Sequence, residues 1–198
     1  VNANGIANNQ LVEGGNASAR VKVNYGVTGV RSLGNQAVVS GNTSQASASQ
    51  NQAANELVLK AGNLLSSVAP VLASVQESRG STSAMVETSL LTGTGIVNLD
   101  NGDTTISNNT ASTSARANVA NNSVSIDSGT QTAGLGGLSA LSNKQTNTGA
   151  VASSTDLQIP VGSVAALGGA ITVTGNSASS LALGNAALNS IQANAGTA

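Results

Sequence analysis

Asparagine is the residue whose type and spacing in this sequence point to specific chemistry, namely hydrogen bonding between side-chain amides. Three columns of asparagine recur at an interval of 67 residues without a gap, and they are Asn42, Asn109 and Asn176; Asn51, Asn118 and Asn185; Asn55, Asn122 and Asn189. An amide side chain both donates and accepts hydrogen bonds. Identical asparagines stacked about 4.8 Å apart can therefore bond in a continuous ladder that satisfies each buried amide. We predict that these nine residues form structural ladders of this kind.

The same columns have a second interpretation, because asparagine is also a common turn residue. An array of stacked turns would align asparagines without joining their amides. Small and aliphatic residues recur at the same interval, and they are Ala48, Ala115 and Ala182; Ala53, Ala120 and Ala187; Leu57, Val124 and Ile191. Small side chains would let neighbouring layers approach closely in either arrangement, so the ladder and turn hypotheses both remain open here.

Residues that most catalytic and metal sites require are absent or dispersed. The sequence has no histidine and no cysteine, which removes Ser-His-Asp and Cys-His catalysis as well as imidazole and thiolate metal sites. Residues 100–103 resemble part of a calcium loop. The positions 67 residues before and after them carry no carboxylate, so a tight turn is the favoured interpretation. We expect no catalytic residue, no cofactor, no metal site and no enzymatic activity.

The composition predicts a folded chain with an unusual core. Of 198 residues, 39% are hydrophobic and the net charge is −1, whereas disordered chains combine low hydrophobicity with high net charge. Aromatic residues make up 1% of the chain. The core must therefore be built from closely packed small side chains, because aromatic rings normally supply much of the buried area.

Charge and hydropathy also restrict the partners. Only 8% of the residues are charged, and the lysines and arginines are scattered. Binding to nucleic acid or to an anionic membrane needs clustered basic residues, so we expect neither. The sequence has no run of 18 apolar residues, and we expect no insertion into a membrane as a helix.

The 67-residue interval divides the chain into three predicted repeats, 1–67, 68–134 and 135–198. Each repeat contains a Gly/Asn turn, a short β-branched segment typical of a strand, and then the asparagine motif. We therefore predict that the repeats are built from strands stacked on one another.

The asparagine motif contains a phase slip. Ser44, Ala46 and Ala48 follow the alternation of a strand, and the alternation resumes at Asn51 one position out of phase. A shift of one residue moves side chains to the other face of a strand. We predict a corner or bulge between Gln50 and Asn51.

One segment fits two types of element. Hydrophobic residues between 64 and 75 recur at helical spacing. A short helix over about 67–79 is therefore an alternative to a strand, although the matching segment of the next repeat is too rich in glycine to support it.

A register of 67 over the whole repeat makes further predictions. Two aliphatic columns would form, one of Val23, Leu90 and Leu157 and the other of Val30, Val97 and Val164. Opposite charges would become neighbours in three places, namely Arg20 over Glu87, Lys60 over Asp127, and Glu77 next to Lys144. Like charges directly opposite destabilise a sheet, and we predict that no column carries two of them.

One column predicts a contact between molecules. Lys22, Ser89 and Asp156 share a column at this interval, so the opposite charges lie in the first and third repeats. They become neighbours if the third repeat of one molecule stacks on the first repeat of the next. We therefore predict Lys22 and Asp156 as the subunit junction of a head-to-tail assembly.

The length of the repeats adds to this expectation. The third copy has 64 residues, so the sequence is nearly a whole number of repeats without a distinct end segment. Solenoids ordinarily carry atypical terminal caps, and we expect an uncapped array to polymerise. Because the chain begins at Val1, we also expect that a leader was removed or that the sequence is a fragment.

The motif from Gly41 to Asn55 has Gly-Asn-Thr-Ser followed by glutamines and asparagines that alternate with small residues. It resembles the repeats of bacterial functional amyloids, namely curlin and the Fap-type biofilm fibres of pseudomonads. The resemblance covers the composition and repeat pattern of the whole chain at the level of this class. It implies a secreted subunit, outside the cell or on its surface, whose partners are other copies of itself and a dedicated secretion and nucleation machinery.

The sequence therefore predicts an all-β fold in which three repeats stack as a β-solenoid or cross-β structure and polymerise head to tail. The predicted function is that of a structural subunit of a secreted bacterial extracellular fibre, in a biofilm matrix or in adhesion. Two alternatives remain, which are a non-polymeric β-solenoid adhesin or passenger region and a pilin-like subunit joined by donor-strand exchange.

Overall fold

Short β-branched segments and alternating small residues suit a pleated, half-buried surface, and all regular secondary structure in the described part of the chain is β-strand. The structure is a computed structural model. It describes residues 5–25, 37–64, 71–90, 97–100, 103–131, 140–159, 164–167 and 170–195.

The fourteen strands fall into three successive groups, here called rungs. The first rung consists of β1 (Gly5–Val12), β2 (Ala17–Tyr25), β3 (Ala37–Ser40) and β4 (Thr43–Leu64). The second consists of β5 (Val71–Ser78), β6 (Thr82–Leu90), β7 (Val97–Asp100), β8 (Thr104–Ser107) and β9 (Thr110–Gln131). The third consists of β10 (Ala140–Asn147), β11 (Val151–Gln158), β12 (Val164–Leu167), β13 (Ile171–Thr174) and β14 (Ser177–Ala195).

Strands from successive rungs pair in parallel. Four sheets have three strands each, in the spatial orders β1-β5-β10, β2-β6-β11, β3-β8-β13 and β4-β9-β14, and a fifth sheet pairs β7 with β12. Neighbouring strands lie about 4.8 Å apart, so three rungs span about 14 Å along the stacking axis. The prediction of an all-β fold with three stacked repeats is confirmed.

Residues 71–78 form a strand rather than a helix. The buried side chains of β5 recur at every second position and are Leu72, Ser74, Gln76 and Ser78. The strand pairs with β1 on one side and with β10 on the other, and this tertiary pairing overrides the weak helical periodicity. The helical alternative for 67–79 is therefore wrong over β5, and residues 67–70 lie outside the described part.

The predicted phase slip in the long strands is confirmed. Ser44, Ala46 and Ala48 are buried, and the buried positions resume at Asn51. The main-chain pairing of β4 with β9 passes over Gln50. Its counterpart Ala117 is skipped as well, so the paired strands turn a corner together, and one strand of 22 residues directs two runs of side chains toward the same interior.

The core lies between two layers. One layer contains β4, β9 and β14, and the other contains β1 and β2 with their counterparts, β5 and β6, and β10 and β11. Aliphatic side chains fill the space between them; one cluster is mostly alanine and contains Ala46, Ala48, Ala84, Val86, Ala111 and Ala115, and the other contains Leu72, Val124 and Ile126. A core of this kind needs no aromatic ring, because small side chains allow the two layers to pack closely.

A left-handed turn precedes each long strand. Gly41, Asn108 and Gly175 occupy one column and have φ angles of 67°, 55° and 63°. Glycine and asparagine adopt this backbone conformation at the lowest cost. Because all three rungs turn in the same way, the asparagines that follow are held at matching positions.

The register of 67 holds in only part of the repeat. In the sheet of β4, β9 and β14, Thr43 pairs with Thr110, and Thr110 pairs with Ser177. In the sheets of β1 and β2, paired residues of the first and second rungs are 66 and 65 positions apart respectively, and this separation is called the first step. The second step is 69 positions in both.

This difference corrects one predicted column. Thr88, not Leu90, lies between Val23 and Leu157, because β6 is shifted by two residues relative to an interval of 67. In the other aliphatic column Val97 pairs with Val164 as predicted. Val30 lies outside the described residues, as do residues 101 and 102 of the predicted tight turn.

Candidate functional site

The side-chain amides of all nine predicted asparagines are joined across the rungs. Asn51 Nδ2 donates to Asn118 Oδ1 at 2.8 Å, and Asn118 Nδ2 donates to Asn185 Oδ1 at 2.7 Å. The other two columns bond in the same direction with N–O distances of 2.8 Å, and they are Asn42, Asn109 and Asn176; Asn55, Asn122 and Asn189. These columns are therefore ladders, and the left-handed turn lies one residue before the first of them.

In the column of Asn51, Asn118 and Asn185, the side-chain amides also donate to main-chain carbonyl oxygens of the opposite layer. Asn51 Nδ2 donates to the carbonyl oxygen of Glu77 at 2.9 Å, and Asn118 Nδ2 donates to that of Thr146 at 2.9 Å. Asn118 is fully buried. A buried amide without partners costs about 1–3 kcal/mol. The ladder and the carbonyl together remove this cost and allow a polar residue at the centre of the molecule.

A glutamine ladder, which a fixed interval of 67 does not detect, runs through the other layer. Gln145 Nε2 donates to Gln76 Oε1 at 2.7 Å, and Gln76 Nε2 donates to Gln10 Oε1 at 2.8 Å. These donors point from the third rung toward the first, opposite to the asparagine ladders. The steps are 66 and 69 positions, which is why the column is not visible in an alignment at 67.

Stacked glycines set the register of this layer. A Cβ atom on Gly80 would lie 1.9 Å from the carbonyl oxygen of Gly15, and one on Gly149 would lie 1.9 Å from that of Gly80. No side chain fits at this distance, so glycine is required. These glycines lie in the bends between β1 and β2, between β5 and β6, and between β10 and β11. Gln50 of the other layer bonds to two of these bends, because its Nε2 donates to the carbonyl oxygens of Gly15 and Ser81. The glycines at 15, 80 and 149 are the sequence signal that identifies the correct register.

Charged side chains line the outer face of the same layer. Lys22, Glu87 and Asp156 are neighbours in β2, β6 and β11. Lys22 Nζ lies 3.4 Å from Glu87 Oε2, and Arg20 Nη2 lies 2.9 Å from Glu87 Oε1. The hydrogen bond from Arg20, assisted by its charge and by Lys22, lowers the pKa of the Glu87 carboxyl below its ordinary value.

Several predicted charge relations are wrong because of the shifted register. Glu87 and not Ser89 lies between Lys22 and Asp156, so one column carries two neighbouring carboxylates. Arg20 does reach Glu87, but its main-chain partner is Met85.

The other two predicted pairs divide in the same way. Lys60 pairs with Asp127 as predicted, in the layer where the interval is 67. Glu77 pairs with Thr146 and lies two positions out of register with Lys144. Charge pairs, like the apolar columns, are predicted correctly in the sheets where the interval is 67 and incorrectly in the sheets where the interval is shifted.

The asparagine and glutamine ladders form directional hydrogen bonds along the stacking axis. In the part of the chain that the structure describes, no group of three or more His, Cys, Asp or Glu residues could hold a metal ion. No helix in that part is long and apolar enough to cross a membrane.

Parallel sheets stacked in register, with ladders of asparagine and glutamine between the layers, define a structural protein of the β-solenoid type. Comparisons with family models, curated proteins and solved structures gave no match to this chain. The class therefore follows from the stacked sheets and the ladders themselves.

Proposed function

We propose that this chain is the structural subunit of a secreted bacterial fibre that forms by end-to-end stacking of copies and serves in an extracellular biofilm matrix or in adhesion. The observation that carries the proposal is the long edge strand at each end of the stack. β4 has 22 residues and β14 has 19, and both are edge strands of their sheet. A long exposed edge is a template for pairing with another chain.

The ladders support the same assembly. Each asparagine column ends in the first rung on one side and in the third rung on the other, so a second copy can extend it by one more amide. The partner of this chain is therefore a further copy of itself. Secretion outside the cell and a nucleation machinery are part of the proposal through the resemblance to functional amyloids.

Charges at the two ends of one column favour the same junction. Asp156 in the third rung has the like charge of Glu87 as its neighbour. In a stack, Lys22 of a second copy would lie on the other side of Asp156 and supply an opposite charge. We therefore keep Lys22 and Asp156 as the proposed subunit junction. Exposed pairs of this kind contribute about 1 kcal/mol or less.

Electron microscopy and fibre diffraction of the purified protein test the proposal. We expect fibres with a meridional reflection near 4.8 Å, which is about the spacing of successive strands along the fibre axis. Protein that stays monomeric at high concentration would remove the fibre hypothesis and leave the non-polymeric adhesin. Fibres without this reflection would favour donor-strand exchange.

A charge reversal tests the junction. Asp156→Lys places a cation beside Glu87, so the folded molecule keeps its stability, but it sets two cations against each other where copies meet. We expect assembly about two- to fivefold slower at low salt, with the difference shrinking near 1 M salt, where charges are screened beyond about 3 Å. The control is Glu13→Lys, which changes the net charge equally at an exposed bend. Equal slowing in both variants would contradict the junction.

A further inference from the structure

The two layers of the molecule are offset by half a rung. β4 packs against β1 and β2 of its own rung and against β5 and β6 of the next, and β9 packs in the same way between β5 and β6 and β10 and β11. β14 packs on β10 and β11. Along the stacking axis, strands of the two layers therefore alternate. β14 is the last strand in this alternation, and it packs against one rung of the opposite layer where β4 and β9 pack against two.

This offset leaves the inner face of β14 open. Ala48 and Ala115 are 6% and 0% exposed, whereas Ala182 in the same column is exposed. Val124 is 1% exposed, and Ile191 above it is 55% exposed. β4 is also an edge strand, yet its inner residues are buried, because β1 and β2 cover them. The described part of the chain places no such cover over β14.

Hydrogen bonds between the layers repeat from rung to rung. Asn51 in the first rung donates to the carbonyl oxygen of Glu77 in the second, and Asn118 in the second donates to that of Thr146 in the third. Asn51 and Asn118 thus each donate to the following rung of the opposite layer.

Asn185, the third-rung asparagine of this column, has no following rung among the described residues of its own molecule to supply the equivalent carbonyl acceptor. Asn185 Nδ2 lies 3.4 Å from the carbonyl oxygen of Gln145 in its own rung. Leu11, Glu77 and Thr146 occupy one column. In a continued stack, the carbonyl that Asn185 would reach is therefore that of Leu11 in a second copy.

We propose that the inner face of β14 takes the β1 and β2 strands of a second copy, in the register that continues these columns. Asn185 Nδ2 then donates to the Leu11 carbonyl oxygen and to Asn51 Oδ1 of the second copy. Ile191 is covered by Ile6 of that copy, which shares a column with Leu72 and Leu141. This inference rests on the proposed end-to-end assembly and assigns the two surfaces that meet in it.

The same register makes the fibre polar. The asparagine ladders present amide donors at the third rung and amide oxygens at the first, and the glutamine ladder runs in the opposite direction. Contact between unlike ends therefore pairs donors with acceptors in both layers. Contact between like ends sets donor against donor or acceptor against acceptor. The interface is heterologous and does not close, so it generates an open filament.

A variant blocked at one end tests this assignment. Ala182→Lys leaves the free molecule folded because Ala182 is exposed there, but it buries an unpaired charge at the junction. The variant keeps an intact first-rung end. Fluorescently labelled Ala182→Lys is added to unlabelled wild-type seeds and followed by microscopy. We expect one spot at one end of each seed and extension from that end at least about tenfold slower than without the variant.

Two further variants complete the experiment. Ser179→Lys lies on the outward face of β14 and should extend seeds like the wild type. Ala187→Lys lies on the inner face, is exposed in the free molecule and replaces Ala182→Lys if circular dichroism shows that the latter is misfolded. Spots at both ends, no spots, or normal extension by the inner-face variant would overturn the assignment. Absence of wild-type seeds would instead overturn the proposed function, and the inference with it.

Discussion

The two layers of this molecule keep their rungs aligned by different means. In the layer of β4, β9 and β14, every neighbour along the stack is 67 positions away, and asparagines bond to their own counterparts above and below. In the layer of β1 and β2 and their counterparts, the steps are 65 or 66 and then 69 positions. There the alignment is held by stacked glycines and by a ladder of glutamines.

The difference follows from how each layer is built. β4 and β9 are continuous strands of 22 residues, so an insertion would break many pairs at once. The opposite layer consists of separate strands of 8 or 9 residues, so the segments that join the strands can differ in length without breaking the pairing. Four residues separate β1 from β2, whereas three separate β5 from β6. Register is therefore fixed by close-fitting groups and not by a constant interval.

The largest expected effect comes from filling the glycine bend. Gly80→Ala would place a Cβ atom 1.9 Å from the Gly15 carbonyl oxygen, and the rungs would have to separate to admit it. We expect a loss of about 3 kcal/mol in the free energy of unfolding, measured by urea denaturation of the monomer.

The matched control lies in the neighbouring bend. A Cβ atom on Gly14 would meet nothing within 4 Å, so Gly14→Ala should change the free energy of unfolding by less than about 0.5 kcal/mol. Similar losses in the two variants would show that the bend does not hold the register.

The second effect comes from interrupting an asparagine ladder. Asn118→Leu removes the acceptor of Asn51 and the donor to Thr146 at a fully buried position. We expect a loss of about 2 kcal/mol in the free energy of unfolding and slower assembly, because the partner groups lose their hydrogen bonds.

The control for this change is Asn121→Leu, which lies in the same strand on the exposed face. It should cost less than about 0.5 kcal/mol. Asn147 belongs to no asparagine column, but it is half-buried and donates to the Gly149 carbonyl oxygen, which makes it a less clean control. Equal losses for Asn118→Leu and Asn121→Leu would mean that the ladders contribute nothing to stability.

The sequence predicts one of these layers far better than the other. The nine ladder asparagines and the phase slip at Gln50 could be predicted, because the strands of their layer keep an interval of 67 throughout, so side chains that bond to each other there recur at that interval. The glutamine ladder and the position of Glu87 could not, because an interval of 67 misplaces the second rung by one or two residues there. Aligning Gly15 with Gly80 would have revealed this shift.

The offset between the layers lies beyond such reasoning. It depends on how the side chains of one layer fit between the rungs of the other, as where Asn51 reaches the Glu77 carbonyl oxygen. A repeat pattern gives the order of the strands along the chain. It does not give the height of one layer relative to the other.

The smallest expected effect concerns pH and the charged column of the β1 and β2 layer. The pKa of Glu87 in the folded molecule lies below the ordinary value of 4.5, so folding favours its carboxylate form. The stability that Glu87 contributes is therefore present above about pH 4.5 and is lost as the pH falls through the lowered pKa.

Comparing the wild type with Glu87→Gln over a range of pH tests this effect. We expect the wild type to have the higher unfolding midpoint above about pH 5, and the difference to shrink as the pH falls through the lowered pKa and the carboxylate is protonated. Glu13→Gln, outside the three ion pairs of the described residues, should show no such trend. A difference between wild type and Glu87→Gln that stays constant with pH would show that Arg20 and Lys22 do not hold this column through charge. The β1 and β2 layer would then depend on its glycines and glutamines alone.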